Sequence, residues 1–196
     1  MPSSYTLRAR APTARSTFPS RRCKLTGGGA MARQLWLLRH AVAEPHGTRA
    51  DARRKLTAQG QRQAKTAGIA LARLGAEFDA VLYSPKARAR ETATLAAKEW
   101  PPAQRERLRS HPGLVGALDA TEAREAAAEI PPGGRLLLVG HEPHLSHLVG
   151  ELTGGHVNLK KGGIAVVRLD GLGGELALLL RPRDLALIAG SPVGGK

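Results

Sequence analysis

Gln34-Leu35-Trp36-Leu37-Leu38-Arg39-His40-Ala41-Val42-Ala43-Glu44 is a short apolar run that stops abruptly at a basic pair. Its apolar residues are too few for a helix and are flanked by polar sequence, which predicts a buried strand. Arg39 and His40 sit where that strand ends. In open α/β sheets the carboxyl ends of parallel strands border the crevice that receives ligands, so this pair is placed for chemistry on an anion.

Downstream, a polar loop with Pro45, Gly47 and Asp51 runs to Lys55, and a helix follows from about Thr57. Ala64, Ala67, Gly68, Leu71 and Leu74 fall on one face of it, with Thr57 as N-cap and Gly75 as stop. Phe78 to Tyr83 reads as a second strand, ended by Ser84-Pro85. Lys86 to Lys98 is helical in composition and opens with Arg88 and Arg90. Basic residues are unfavourable beside a helix's positive end, so they imply an anionic partner there. A short strand is expected at Arg107 to Ser110, then a helix from about Ala120 to Ile130 that Asp119 or Thr121 can cap. Arg135 to Gly140 is the clearest buried strand, and it too ends in a histidine, His141. Pro143 opens a helix with Leu145, Leu148, Val149 and Leu152 on its apolar face, closed by Gly154. Ile164 to Leu169 and Glu175 to Leu180 flank a glycine-rich turn and suit a hairpin.

Strands alternating with helices predict a single-domain α/β fold, a mostly parallel central sheet with helices on both faces. His40 closes the first strand, Arg88 lies just past the second and His141 closes the third. Parallel strands joined by helical crossovers bring all three to one edge of the sheet. With Arg39 they make two guanidiniums and two imidazoles, and the motifs contain no obligate carboxylate. Such a cluster is costly unless an anion binds there, and phosphate matches the arginine fork. Taken singly, each residue has an ordinary reading as a surface loop pair, a strand-end histidine or a solvated helix charge. Their joint order is what points to a site.

Composition narrows the alternatives. A chain of 196 residues with 42% hydrophobic content is ordinary for one globular domain, and no apolar run is long enough to span a membrane. Of the net charge of +14, residues 1–30 carry six basic residues (Arg8, Arg10, Arg15, Arg21, Arg22, Lys24) and no acid, leaving 24 basic against 16 acidic residues, or +8. A basic surface attracts phosphorylated or acidic partners, but 3% aromatic content offers little for base stacking, so no specific nucleic-acid partner is expected. Residues 1–30 read as a disordered basic tail, with 31–190 as the domain and 191–196 as a flexible end. The tail has three readings: a nucleic-acid-binding arm, an organelle transit peptide, or sequence preceding a true start at Met31. The sole cysteine, Cys23, lies in that tail, which removes an intramolecular disulfide and fits a cytoplasmic setting.

Three blocks then carry a resemblance: Arg39-His40-Ala41, Ser84-Pro85-x-x-Arg88-Ala89-x-x-Thr92, and Val139-Gly140-His141-Glu142-Pro143. In this order they resemble the signatures of the histidine phosphatase superfamily, the phosphoglycerate mutase-like fold, over about residues 34 to 188. Leu56-Thr57-x-x-Gly60-x-x-Gln63-Ala64 and Leu159-Lys160-Lys161-Gly162-Gly163 are similar to its SixA-type phosphohistidine phosphatase branch. The resemblance implies that His40 is a nucleophile forming a phosphohistidine intermediate, and that Arg39, Arg88 and His141 bind the phosphoryl oxygens. It implies a monomeric phosphatase with no cofactor, acting on a phosphorylated protein or a small phosphorylated substrate. A neutral His40 ring is expected, with its other nitrogen partnered.

The departures are informative too. Ala41, Val42 and Ala43 offer no side-chain donor where mutases have phosphate-contacting groups, and no glutamate between His111 and Glu122 matches the mutases' general acid. An alkoxide leaving group needs that acid, whereas an imidazole does not, so phosphohistidine is the favoured substrate and a phosphomonoester the alternative. Glu44, Asp51 and Asp119 are weak candidates for an acid. His141, His144 and His147 lack zincin spacing, so no metal is expected. From another class, a phosphate-recognition module without turnover, tethered by the basic tail, remains as a second reading.

Overall fold

The computed structural model describes residues 31–116 and 118–190. The readings of residues 1–30, Cys23 among them, and of the 191–196 end lie outside the described residues. The chain forms β1 (Gln34–Arg39), α1 (Ala58–Arg73), β2 (Ala80–Tyr83), α2 (Ala87–Ala97), α3 (Pro102–Arg105) and β3 (Leu108–Ser110). There follow α4 (Ala120–Ala128), β4 (Arg135–Gly140), α5 (His144–Thr153), β5 (Ile164–Asp170), β6 (Gly173–Leu180) and α6 (Pro182–Ile188). The six strands make one sheet in the order β3-β2-β4-β1-β5-β6. The β3-β2, β2-β4 and β4-β1 pairs are parallel, and the β5-β6 hairpin joins β1 antiparallel.

The period-two alternation of β1 divides the core between the two faces of the sheet. Trp36 and Leu38 point to a layer closed by α1, α2 and α6, and Leu35 and Leu37 to one closed by α4 and α5. Leu35, Leu37 and Leu38 are completely buried, and each such leucine contributes about 2 kcal/mol of hydrophobic stabilisation. Aromatic packing anchors the first layer: Trp36 meets Phe78 edge-on at 5.5 Å, and Phe78 meets Trp100 at 5.4 Å. The Trp100 indole N–H donates to the Gly68 carbonyl, 3.1 Å away. A Cβ at Gly68 would lie 2.2 Å from the Ala96 carbonyl, so glycine there permits the close crossing of α1 and α2.

The expected caps are in place. Thr57 accepts from the Gly60 amide and Asp119 forms a capping box with Glu122, while Gly75 and Gly154 follow their helices at positive φ. Some boundaries differ from expectation. β2 begins at Ala80 rather than Phe78, because the Phe78 amide donates to the buried Gln104 side chain and the Asp79 carboxylate accepts from the Arg135 amide. α4 stops at Ala128 rather than Ile130, as Pro131 disfavours helical backbone in the residue before it. The final helix α6 was not anticipated. Its signals were Pro182 at the first position and Gly190 beyond its end, but seven residues are too few to show periodicity. No helix among the described residues is long and apolar enough to cross a membrane.

Candidate active site

β1 and β4 lie side by side in register, Arg39 opposite Gly140, and the His40 amide donates to the Gly140 carbonyl at 3.0 Å. From β1 the chain turns to α1 on one face of the sheet, and from β4 to α5 on the other. The gap between two diverging connections is where open α/β sheets bind ligands. His40 and His141, each one residue past its strand, therefore stand together, with ring centroids 5.1 Å apart. Arg88, on the first turn of α2, reaches them, its Nε 3.3 Å from His40 Nε2. His40, Arg88 and His141 are respectively only 7%, 5% and 5% exposed.

The segment after β1 is gripped from below by the start of α1. Thr57 donates from its amide and hydroxyl to the Val42 carbonyl, and the Val42 amide donates to Gln63 Oε1 at 3.1 Å. A Cβ at Gly60 would sit 1.9 Å from that carbonyl, so only glycine admits the contact. Ala41, Ala43, Leu56 and Ala64 fill the space between. The Leu-Thr-x-x-Gly-x-x-Gln-Ala run is thus a clamp on the backbone that carries His40. Thr92 adds a second hold: its buried hydroxyl accepts from the Ala41 amide at 3.1 Å and donates to the Arg88 carbonyl at 2.7 Å. At the other side, the Gly162 amide donates to the Arg39 and His40 carbonyls, with Gly162 at φ +75°.

The tautomer of His40 follows from its partners. A guanidinium can only donate, so Nε2 accepts from Arg88 and carries a lone pair. The ring proton is then on Nδ1, which donates to the Ala41 carbonyl at 2.8 Å. Burial lowers the ring's pKa from 6.5 to about 4; the hydrogen bond to Ala41 opposes this, and the charges of Arg88, Arg39 and Lys161 add to it. Burial also lowers His141 to about 3, with His40, Arg88 and Lys86 adding to the effect and Asp51 opposing it. Both imidazoles are neutral at pH 7. His141 Nε2 lies 2.9 Å from the hydroxyl of the fully buried Ser84. Arg39 donates from one terminal nitrogen to the Leu159 carbonyl at 2.8 Å. Its Nε and His141 Nδ1 are buried without a hydrogen-bond partner among the described residues.

A carboxylate enters this cluster, and the sequence motifs did not reveal it. Asp51 lies in a short 3-10 turn and accepts from Arg88 through both its main-chain carbonyl (2.7 Å) and its side chain (3.2 Å). The same carboxylate pairs with Arg54 at 2.7 Å and Lys86 at 3.2 Å. Hydrogen bonds from Arg54 and Lys86, with the charge of Arg88, hold it well below the usual carboxylate range. Arg54 also donates to the Glu44 carbonyl, closing the 44–55 loop.

Of the four residues singled out from the sequence, His40, Arg88 and His141 are brought together, and Arg39 stands near enough for its charge to act on the His40 ring. Arg90, also read as an anion contact, is instead exposed. None of the three acid candidates is a free carboxyl beside His40. Glu44 accepts from the Lys55 amide and pairs with Arg49, Asp51 is locked in ion pairs, and Asp119 caps α4. His147 is exposed and His144 half-buried on α5. Among the described residues no three His, Cys, Asp or Glu side chains are grouped as a metal site requires. Ser84, Thr92, Lys86 and Asp51 belong to the site as well. Ser84 and Thr92 were visible as polar positions within the second motif, whereas only the fold of the 44–55 loop brings Asp51 to Arg88.

The profile of the histidine phosphatase superfamily (branch 1) matches residues 35–132. An uncharacterised protein of Picosynechococcus sp. is 37% identical over 147 residues, covering 69% of this chain and 84% of that protein. Among solved structures, the protein histidine phosphatase SixA complexed with tungstate superposes with a TM-score of 0.66 at 24% identity, covering 78% of this chain and 99% of that one. A phosphohistidine phosphatase SixA candidate from Nakamurella multipartitia superposes with a TM-score of 0.62 at 27% identity, covering 78% and 98%. The α-ribazole phosphatase of Shigella flexneri is also similar, with a TM-score of 0.56 at 22% identity over 76% and 96%. The profile match, the phosphoglycerate mutase-like sheet and the paired histidines at its edge agree, and the chain belongs to the histidine phosphatase superfamily, in which its likeness is to the SixA branch.

Proposed function

We propose that this protein is a phosphohydrolase that moves a phosphoryl group from a phosphohistidine, carried on a protein, to His40 and then to water. The observation that carries this reading is the state of His40. Nδ1 holds the proton against the Ala41 carbonyl, so Nε2 carries the lone pair, which attacks once Arg88 turns its N–H from that nitrogen to a phosphoryl oxygen. Two buried nitrogens without partners among the described residues, Arg39 Nε and His141 Nδ1, lie in the same site. An unpaired buried donor costs about 1–3 kcal/mol, a cost that phosphoryl oxygens would remove.

In the first step Nε2 attacks phosphorus and the P–N bond to the substrate ring breaks. A leaving ring protonated on its far nitrogen departs as neutral imidazole. Phosphorylated His40, still holding its Nδ1 proton, is cationic and thereby activated. Water then attacks phosphorus, inorganic phosphate and a proton are released, and neutral His40 is restored. Arg39, Arg88 and His141 bind the phosphoryl oxygens and stabilise charge as it develops. Neither step needs a carboxylic acid, which agrees with Asp51 being held ionised by Arg54, Lys86 and Arg88. The likeness to SixA supports the same substrate class.

The test compares a phosphohistidine-bearing protein with aryl and alkyl phosphate monoesters, with quench-flow trapping of the phosphoenzyme. The expected result is turnover of phosphohistidine, a transient phosphoenzyme, and loss of both in His40→Ala. Faster turnover of the alkyl ester would make the protein a small-molecule phosphatase, and binding without turnover a phosphate-recognition module.

A further inference from the structure

We propose that Ser84 is a positioning residue that decides which nitrogen of His141 carries the proton. Its hydroxyl donates to His141 Nε2 and leaves the single N–H of the neutral ring on Nδ1, ready to donate to a phosphoryl oxygen. The inference rests on the phosphoryl-transfer reading for its consequence, but not for its geometry.

Ser84 is completely buried, so its hydroxyl has no recourse to water. Among the described residues its oxygen has two partners, the Lys86 amide at 3.4 Å and His141 Nε2 at 2.9 Å. The amide can only donate, so it occupies an oxygen lone pair and cannot take the hydroxyl proton. Among the described residues the one acceptor left to that proton is Nε2. A buried O–H without an acceptor costs about 1–3 kcal/mol. The matching cost of an unpaired Nδ1–H is lifted once a phosphoryl oxygen accepts from it, so with phosphate in the site the balance favours the proton on Nδ1. Were the proton on Nε2 instead, Nδ1 would present a lone pair to an anion and repel it. His141 Nδ1 is buried and has no partner among the described residues, as expected of a nitrogen kept for a ligand.

Position supports the assignment. Ser84 follows β2 as His141 follows β4, and the two strands are adjacent and parallel with Tyr83 opposite Val139. The Ser84 amide donates to the Val139 carbonyl at 3.0 Å, which fixes the serine backbone to the strand that carries the histidine. The serine opening the second motif thus has a use distinct from that of Arg88, four residues on.

The experiment is long-range proton–nitrogen NMR on the full chain labelled with nitrogen-15 histidine, with His141 assigned by the loss of its signals in His141→Gln. The wild type is expected to show the Nδ1–H form of His141. Ser84→Ala should shift His141 toward the Nε2–H form and lower kcat on a phosphohistidine substrate by about 10-fold or more. A wild-type spectrum with the proton on Nε2 would overturn the proposal, and it needs no variant that must fold. An unchanged His141 tautomer in a folded Ser84→Ala protein would overturn it equally. The spectra are taken with inorganic phosphate and no phosphohistidine substrate, so an Nδ1–H ring in a protein without turnover supports the role of Ser84 and counts only against the reaction proposed above.

Discussion

His40 and His141 stand one residue beyond matching ends of neighbouring parallel strands, yet the chain prepares them in opposite ways. His40 gives its proton to the backbone, at the Ala41 carbonyl, and turns a lone pair toward Arg88. His141 meets a serine hydroxyl through Nε2, and its Nδ1 has no partner among the described residues. In the proposed reaction the same side chain serves as an electron-pair donor in one place and a hydrogen-bond donor in the other. Donor-only neighbours make the difference, a guanidinium beside the first ring and an amide behind the serine of the second.

The sharpest way to break this comparison is to remove each ring in turn. His40→Ala is expected to lower kcat by about 10⁴-fold and to abolish the trapped phosphoenzyme. His141→Ala, which removes a donor rather than the nucleophile, should cost on the order of 10²-fold and still give a phosphoenzyme in quench-flow. Equal losses with no intermediate in either variant would show that the two rings do not differ in role.

Acid titration sharpens the contrast further. Only neutral His40 can attack, so kcat/KM should hold from pH 7 downwards and decline through about pH 4 rather than 6.5. Stability has the same sign. Both rings have lower pKa values folded (about 4 and about 3) than the ordinary 6.5, so below pH 6.5 the unfolded chain takes up protons that the folded chain refuses. Stability contributed by keeping these rings neutral is fully present above pH 6.5 and is lost as pH falls toward 4 for His40 and toward 3 for His141, by about 1.4 kcal/mol per pH unit for each ring. Melting curves of His141→Ala should show a shallower acid slope than wild type, and an unchanged slope would contradict the burial of that ring.

Smaller effects separate the backbone hold on His40 from the electrostatic one. Thr92→Val removes the acceptor for the Ala41 amide and the donor to the Arg88 carbonyl. It should cost about 1–3 kcal/mol in denaturant unfolding and about tenfold in kcat, since Ala41 is the anchor of the His40 proton. Asp51→Asn, at a half-exposed side chain, should leave stability within about 1 kcal/mol and change kcat/KM by only about threefold, because the Asp51 main-chain carbonyl still holds Arg88. A loss approaching that of His141→Ala would place Asp51 much closer to the chemistry than its exposure suggests.

Strand and helix periodicity, the caps at Thr57 and Asp119, and the two strand-ending histidines were all legible along the chain. Each depends on neighbours a few residues away, where local backbone preference and side-chain spacing act directly. The parallel register that sets His40 beside His141 was inferable because helical crossovers leave little choice of direction. The purpose of Gly60 and Gln63 was not inferable, since it lies in their contact with Val42 across the start of α1.

The sequence by itself therefore singled out the four groups proposed to carry chemistry and the edge of the sheet on which they gather. Only the tertiary structure decided that Asp51 folds over Arg88, that Thr92 ties Ala41 to α2, and that Ser84 stands behind His141. Protonation states and tautomers belong to this second class. They depend on burial and on whether each neighbour can donate, accept or do both, and those properties arise when distant segments pack together.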